Sequence, residues 1–98
     1  MKRTCFYTMQ RVNNKPAAVR VNGYFDGRFY YYRNPSTAIW HAVCPLTGLA
    51  LASEDTRRET ERRAYSLIPE YNAYMDEFGE RLKLNYKRAL YNATILDY

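Results

Sequence analysis

Histidine and tryptophan occur once each in this 98-residue chain, cysteine twice, and proline and glycine four times each. Two cysteines, Cys5 and Cys44, are too few for a disulfide framework or a zinc cluster; they read as small core residues of a reduced, intracellular protein. The lone His41 has no partners at a spacing that would build a catalytic triad or a metal site. The glycines are scattered, and Gly27 opens Gly-Arg-Phe rather than a phosphate-cradling loop. The carboxylate pairs Glu54–Asp55 and Asp76–Glu77 are adjacent in sequence, so neither converges on one point as an acid–base dyad would. Ser36, Ser53 and Ser66 lack the context of a nucleophile. No apolar run approaches the roughly 18 residues of a membrane-spanning helix. The start of the chain, Met1 to Tyr7, has basic residues but no apolar stretch of signal-peptide length. These absences lead to the expectation of a cytoplasmic, non-enzymatic protein without cofactor or metal, its 98 residues forming a single domain.

What the chain does have is rings and positive charge. It holds eleven tyrosines, four phenylalanines and one tryptophan, and its net charge is +5. Both are unevenly placed. Residues 1–52 carry Lys2, Arg3, Arg11, Lys15, Arg20, Arg28 and Arg33 against a single acid, Asp26. Residues 53–98 are close to balanced, and most of the rings also lie in the first half. Such asymmetry implies one positive face and one balanced face.

The basic half reads as β-structure. Thr4 to Val12 is aromatic and β-branched, Asn13-Asn14-Lys15-Pro16 is a turn cluster, and Ala18 to Phe25 alternates, with Gly23 as a candidate bulge. Asp26-Gly27 has the composition of a two-residue primed hairpin turn leading into a strand over Arg28 to Arg33. After Asn34-Pro35-Ser36 come strands at Ala38 to Cys44 and Leu49 to Ala52. The balanced half reads as helix. Thr56 and Glu59 have capping-box spacing. An apolar stripe then runs Ala64, Leu67, Tyr71, Met75, Phe78, Leu82, Tyr86, Ala89, Ala93 and Leu96 in steps of three and four. Pro69 predicts a break near Leu67–Ile68, giving helices over about 56–67 and 69–94. The fold class is therefore α+β: an antiparallel meander of about five short strands, followed by one or two helices packed on one sheet face.

A basic, aromatic sheet suits nucleic acid, whose phosphates need cations and whose unpaired bases stack on rings. Arg20, Tyr24, Arg28, Tyr30, Tyr32 and Arg33 are the candidates for such a face. Tyr is also a good strand former with a polar tip, so a tyrosine-rich sheet has a purely structural reading as well. Arg58 and Arg62, four apart on the first helix, form a second basic feature. Their plainer role is in pairs such as Glu54–Arg58 and Glu59–Arg62 on a solvated helix. The expected partner is a nucleic acid or nucleoprotein; a protein partner is the alternative, because Arg and Tyr also dominate protein hot spots. A homodimer through the apolar stripe from Met75 to Leu96 is a further expectation.

The segment Trp40-His41-Ala42-Val43-Cys44-Pro45-Leu46-Thr47-Gly48-Leu49-Ala50-Leu51-Ala52-Ser53, followed by Thr56-Arg57-Arg58-Glu59, resembles a strand–turn–strand–helix segment of small phage and conjugative-element proteins. It departs from that pattern in lacking a glycine before Thr56. The resemblance implies an origin in a mobile element. Short chains of that origin often inhibit host defence, as anti-CRISPR proteins do. Many such inhibitors mimic DNA, a route that a net charge of +5 opposes.

Overall fold

A computed structural model describes residues 1–96 of the chain. Five strands come first: β1 (Lys2–Val12), β2 (Lys15–Phe25), β3 (Tyr30–Arg33), β4 (Trp40–Val43) and β5 (Ala50–Glu54). They pair antiparallel in sequence order, as a meander. Two helices follow, α1 (Arg57–Ser66) and α2 (Ile68–Leu96), and pack on the sheet. The α+β architecture is the one expected from the sequence, while several connections differ from it.

The primed turn lies at Asn13–Asn14, not at Asp26–Gly27. Asn13 and Asn14 take φ of +52° and +65°, a region in which Asn is among the few tolerated residues. Lys15 and Pro16, expected in the turn, begin β2 instead. Between β2 and β3 stands a four-residue loop, 26–29. Asp26 Oδ1 organises it by accepting from the backbone N–H groups of Arg28 and Phe29, both at 2.8 Å. Phe29 thereby leaves the strand and enters the core, where it is almost fully buried. Ala38, expected in the fourth strand, takes φ of +63° and closes the preceding turn by donating its N–H to Asn34 at 2.8 Å. Gly23 marks no bulge, because the β1–β2 register runs unbroken past it. It is a point of close approach, where a Cβ would collide with the Tyr31 carbonyl. The irregularity in the sheet is between Ala42 and Val43, opposite β5.

Alternation along β3 divides the buried side chains between the two sides of the sheet. Tyr31 joins Phe29, Ala42, Ala52 and Ala64 of α1 in one cluster, flanked by Trp40, Leu51, Leu67 and Ile68. Phe6, Tyr32 and Val43 form the other, with Val21 and Tyr30. Thr56 caps α1, its hydroxyl accepting from the Glu59 N–H at 3.2 Å. The break between the helices falls at Leu67, and Pro69 occupies the first turn of α2, where its missing N–H costs nothing. Along α2, Met75, Leu82, Tyr86 and Ala89 are half-buried and Ala93 is buried, whereas Phe78 is exposed. The side chain of Leu96, last in the predicted stripe, lies outside those described.

Only Tyr24 and Phe25 of β2 pair with β3; the rest of the β1–β2 hairpin is a two-stranded arm, which needs further packing to be stable. The β4–β5 turn and α2 supply it. The Gly48 carbonyl accepts from the Thr8 hydroxyl at 2.9 Å and from the Met9 N–H at 2.7 Å. The Tyr86 hydroxyl donates to the Tyr7 carbonyl at 2.6 Å. The Tyr7 carbonyl and the Met9 N–H, at the middle of β1's outer edge, are thus occupied rather than left to recruit another strand.

Candidate nucleic-acid interface

The register separates the residues that composition had grouped. Tyr24 lies opposite Tyr31, and Phe25 opposite Tyr30. Side chains alternate along a strand, so Arg20, Asn22 and Tyr24 share a face with Tyr31 and Arg33, while Tyr30 and Tyr32 lie on the other. The predicted single face of Arg20, Tyr24, Arg28, Tyr30, Tyr32 and Arg33 therefore does not exist. Tyr32 is buried, stacked on His41 with centroids 5.1 Å apart and edge-on to Phe6 at 6.0 Å. Its hydroxyl accepts from Gln10 at 3.2 Å. Tyr30 stacks on Phe6 at 4.4 Å and leans on Phe25 at 4.7 Å. Tyr32 is committed to the core, while Tyr30 is half-buried, its ring engaged by Phe6 and Phe25. Arg28 is exposed but lies in the β2–β3 loop, its guanidinium 5.7 Å from the Phe29 centroid.

A different constellation forms around Tyr24. Arg3 lies directly opposite it on β1. Trp40, on β4, brings its ring centroid to 6.2 Å from that of Tyr24 and lies opposite Arg33. From α1, the Arg57 guanidinium sits 5.1 Å above the Tyr24 centroid, a cation–π contact that orients it. Arg20 and Asn22 continue the same face along β2. Arg3, Arg20, Asn22, Arg33 and Arg57 are all exposed, and Tyr24 and Trp40 are half-buried. A shallow depression of about 360 Å³ between the strands is lined by Arg3, Thr4, Cys5, Asn22, Gly23 and Tyr24. Cys5, expected in the core, is exposed here, its thiol donating to Asn22 Oδ1 at 2.8 Å. Cys44 is buried as expected, with its sulfur 2.7 Å from the Tyr71 hydroxyl. Burial pushes the Tyr71 hydroxyl well above its ordinary range, and Cys44 adds to the effect.

Asp26, the one acid of residues 1–52, is engaged elsewhere. Asp26 Oδ2 accepts from the Tyr31 hydroxyl at 2.8 Å and the Tyr65 hydroxyl at 2.9 Å, tying the loop to α1. Burial alone would raise its carboxyl; the hydrogen bonds from Phe29, Arg28, Tyr31 and Tyr65 outweigh that and hold it below 3.8. Within the patch, Glu61 approaches Arg57 at 3.9 Å. The pairing expected between Glu54 and Arg58 is replaced by Arg63–Glu54 at 3.5 Å. Arg58 and Arg62 are exposed and project from the side of α1 opposite its buried Thr60 and Ala64. They extend the positive surface without touching Tyr24.

Arg3, Trp40 and Arg57 were absent from the sequence-based set. Arg3 was legible in principle, since a two-residue Asn13–Asn14 turn places residue 3 opposite residue 24. Arg57 was not, because only the packing of α1 on the sheet brings it over Tyr24.

The chain matches no known protein family, no curated protein and no solved structure. Among the described residues, no group of three or more His, Cys, Asp or Glu side chains is placed to hold a metal ion. No helix among them is long and apolar enough to cross a membrane.

Proposed function

We propose that this protein is a non-enzymatic nucleic-acid-binding module whose interface is the arginine cluster around Tyr24. The observation that carries the reading is the approach of Arg3, Arg33 and Arg57, from three separate elements, to one pair of half-buried rings. Guanidinium groups suit phosphate because their donors match its oxygens two at a time. Arg57, held over a ring, loses less freedom on binding than a wholly mobile side chain. Tyr32 is buried and Tyr30 is half-buried with its ring engaged by Phe6 and Phe25, which argues against the paired stacking platform expected from the sequence. The contact is therefore to the phosphate backbone and largely independent of base sequence.

Fluorescence anisotropy with labelled duplex and single-stranded oligonucleotides, at stepped salt concentration, tests this. Four phosphate contacts, from Arg3, Arg20, Arg33 and Arg57, give a log–log slope of about −3.6 on duplex and about −2.8 on single strands. Absence of binding to any oligonucleotide at low salt overturns the proposal. The alternative partner, an acidic protein surface that mimics nucleic acid, would use the same guanidinium groups. A pull-down with and without nuclease separates the two, because only a direct protein contact survives the digestion.

A further inference from the structure

The outward side of α2 carries a second periodic line that the sheet does not use. Glu70, Tyr74, Glu77, Arg81, Leu84 and Arg88 follow one another at steps of four and three, the spacing that keeps side chains in register between two paired helices. All six are exposed, and Tyr74 and Leu84 remain 49% and 47% accessible. Phe78 flanks the line, 38% accessible and with its ring 5.0 Å from that of Tyr74. Among the described residues, the ion pair within α2 is Lys83–Glu80, which involves none of the six.

Charge along α2 is segregated. Its first part carries Glu70, Asp76, Glu77 and Glu80 without a cation, and from Arg81 to Leu96 it carries Arg81, Lys83, Lys87 and Arg88 without an acid. The helix dipole accounts for that polarity. It does not account for the matching of positions along the exposed line. When a second α2 is laid antiparallel along this line with the twofold axis midway between Glu77 and Arg81, Glu70 faces Arg88 of the second copy. Tyr74 then faces Leu84 and Glu77 faces Arg81. Twofold symmetry repeats each contact, so all six positions are complementary. A parallel arrangement would instead set acid on acid and cation on cation.

We propose that a second copy of this chain docks antiparallel along the Glu70-to-Arg88 line of α2. The interface is not the apolar stripe from Met75 to Leu96 expected from the sequence, because most of that stripe is turned inward. The surface is separate from the arginine cluster around Tyr24, and the proposal stands or falls independently of nucleic-acid binding.

Sedimentation equilibrium of the full chain and its charge-reversal variants tests it. The unaltered protein forms a dimer. Glu77→Lys sets Lys against Arg81 of the other copy at two symmetric positions, and Arg81→Glu sets Glu against Glu77; each weakens the dimer by about tenfold or more. An equimolar mixture of the two variants restores dimers, since every layer is again complementary, and so does the double variant Glu77→Lys/Arg81→Glu. Circular dichroism confirms that each variant is folded. A monomer at every concentration overturns the proposal, as does a dimer indifferent to either reversal, or reversals that neither mixing nor combination repairs.

Discussion

Single residues carry unusual weight where one group serves two neighbours. The Gly48 carbonyl accepts both the Thr8 hydroxyl and the Met9 N–H, Gly48 takes φ of +70°, and a Cβ there would collide with the Tyr86 ring. Gly48→Ala therefore meets backbone strain and a steric clash together. The expected loss is about 2–4 kcal/mol in urea unfolding. Ala38 presents the reverse case. Its φ of +63° is costly for a residue with a Cβ, so Ala38→Gly raises stability by about 0.5–1 kcal/mol in the same measurement. Asp26 is held below its ordinary 3.8 in the fold. The folded state then binds fewer protons than the unfolded chain, so the stabilisation is complete above that value and is lost as pH falls through the lowered one. Burial likewise lowers the His41 pKa below 6.5, and its contribution is lost as pH falls below that value. The thermal midpoint should decline on acidification in both ranges. Asp26→Asn should remove the lower component and cost about 1–3 kcal/mol at neutral pH.

At the scale of elements, α1 decides which side chains of the sheet are available. It covers the Tyr31–Ala42–Ala52 face and stops short of Tyr24, over which it places Arg57. Arg58, its neighbour, points away from the sheet. Arg57→Ala should therefore reduce the duplex salt slope by about 0.9 and weaken binding most at low salt. Arg28→Ala, which alters an exposed loop residue outside the cluster, should leave the slope unchanged. Equal effects of the two substitutions would show that the interface is not confined to the cluster around Tyr24. Hairpin parity by itself opposes the sequence-based grouping. A two-residue Asp26–Gly27 turn would already have paired even-numbered residues of the second strand with odd-numbered residues of the third. Tyr24 could never have shared a face with Tyr30 and Tyr32, and the observed four-residue loop keeps the same parity.

Across the whole molecule, the uneven distribution of charge acquires a direction. The lone acid of residues 1–52, Asp26, is consumed by hydrogen bonds to the β2–β3 loop, Tyr31 and Tyr65. The cations of that half are mostly left at the surface. Acid and base in α2 are separated along the helix instead, the pattern on which the proposed antiparallel docking of a second copy rests. The proposed self-association through α2 would make the fold depend on protein concentration, so the thermal midpoint should rise with concentration. The same series with Glu77→Lys should show that rise only at about tenfold higher concentration or above.

The order of strands and helices, the break at Leu67 and the cap at Thr56 were all legible in the sequence, because each depends on local periodicity and on the backbone preferences of one or two residues. The excess of cations and rings in the first half was equally legible. Tertiary structure decided which of those rings remain available: Tyr30 and Tyr32 pack with Phe6 and Val43 across strands far apart in sequence, a gain of buried aromatic area that no local pattern reports. It also assembled Arg3, Arg33, Arg57 and Trp40 around Tyr24, since proximity between separate elements follows from strand register and helix placement. Local sequence specifies what each segment becomes; the burial of apolar surface by the whole chain determines which side chains are left to meet a partner.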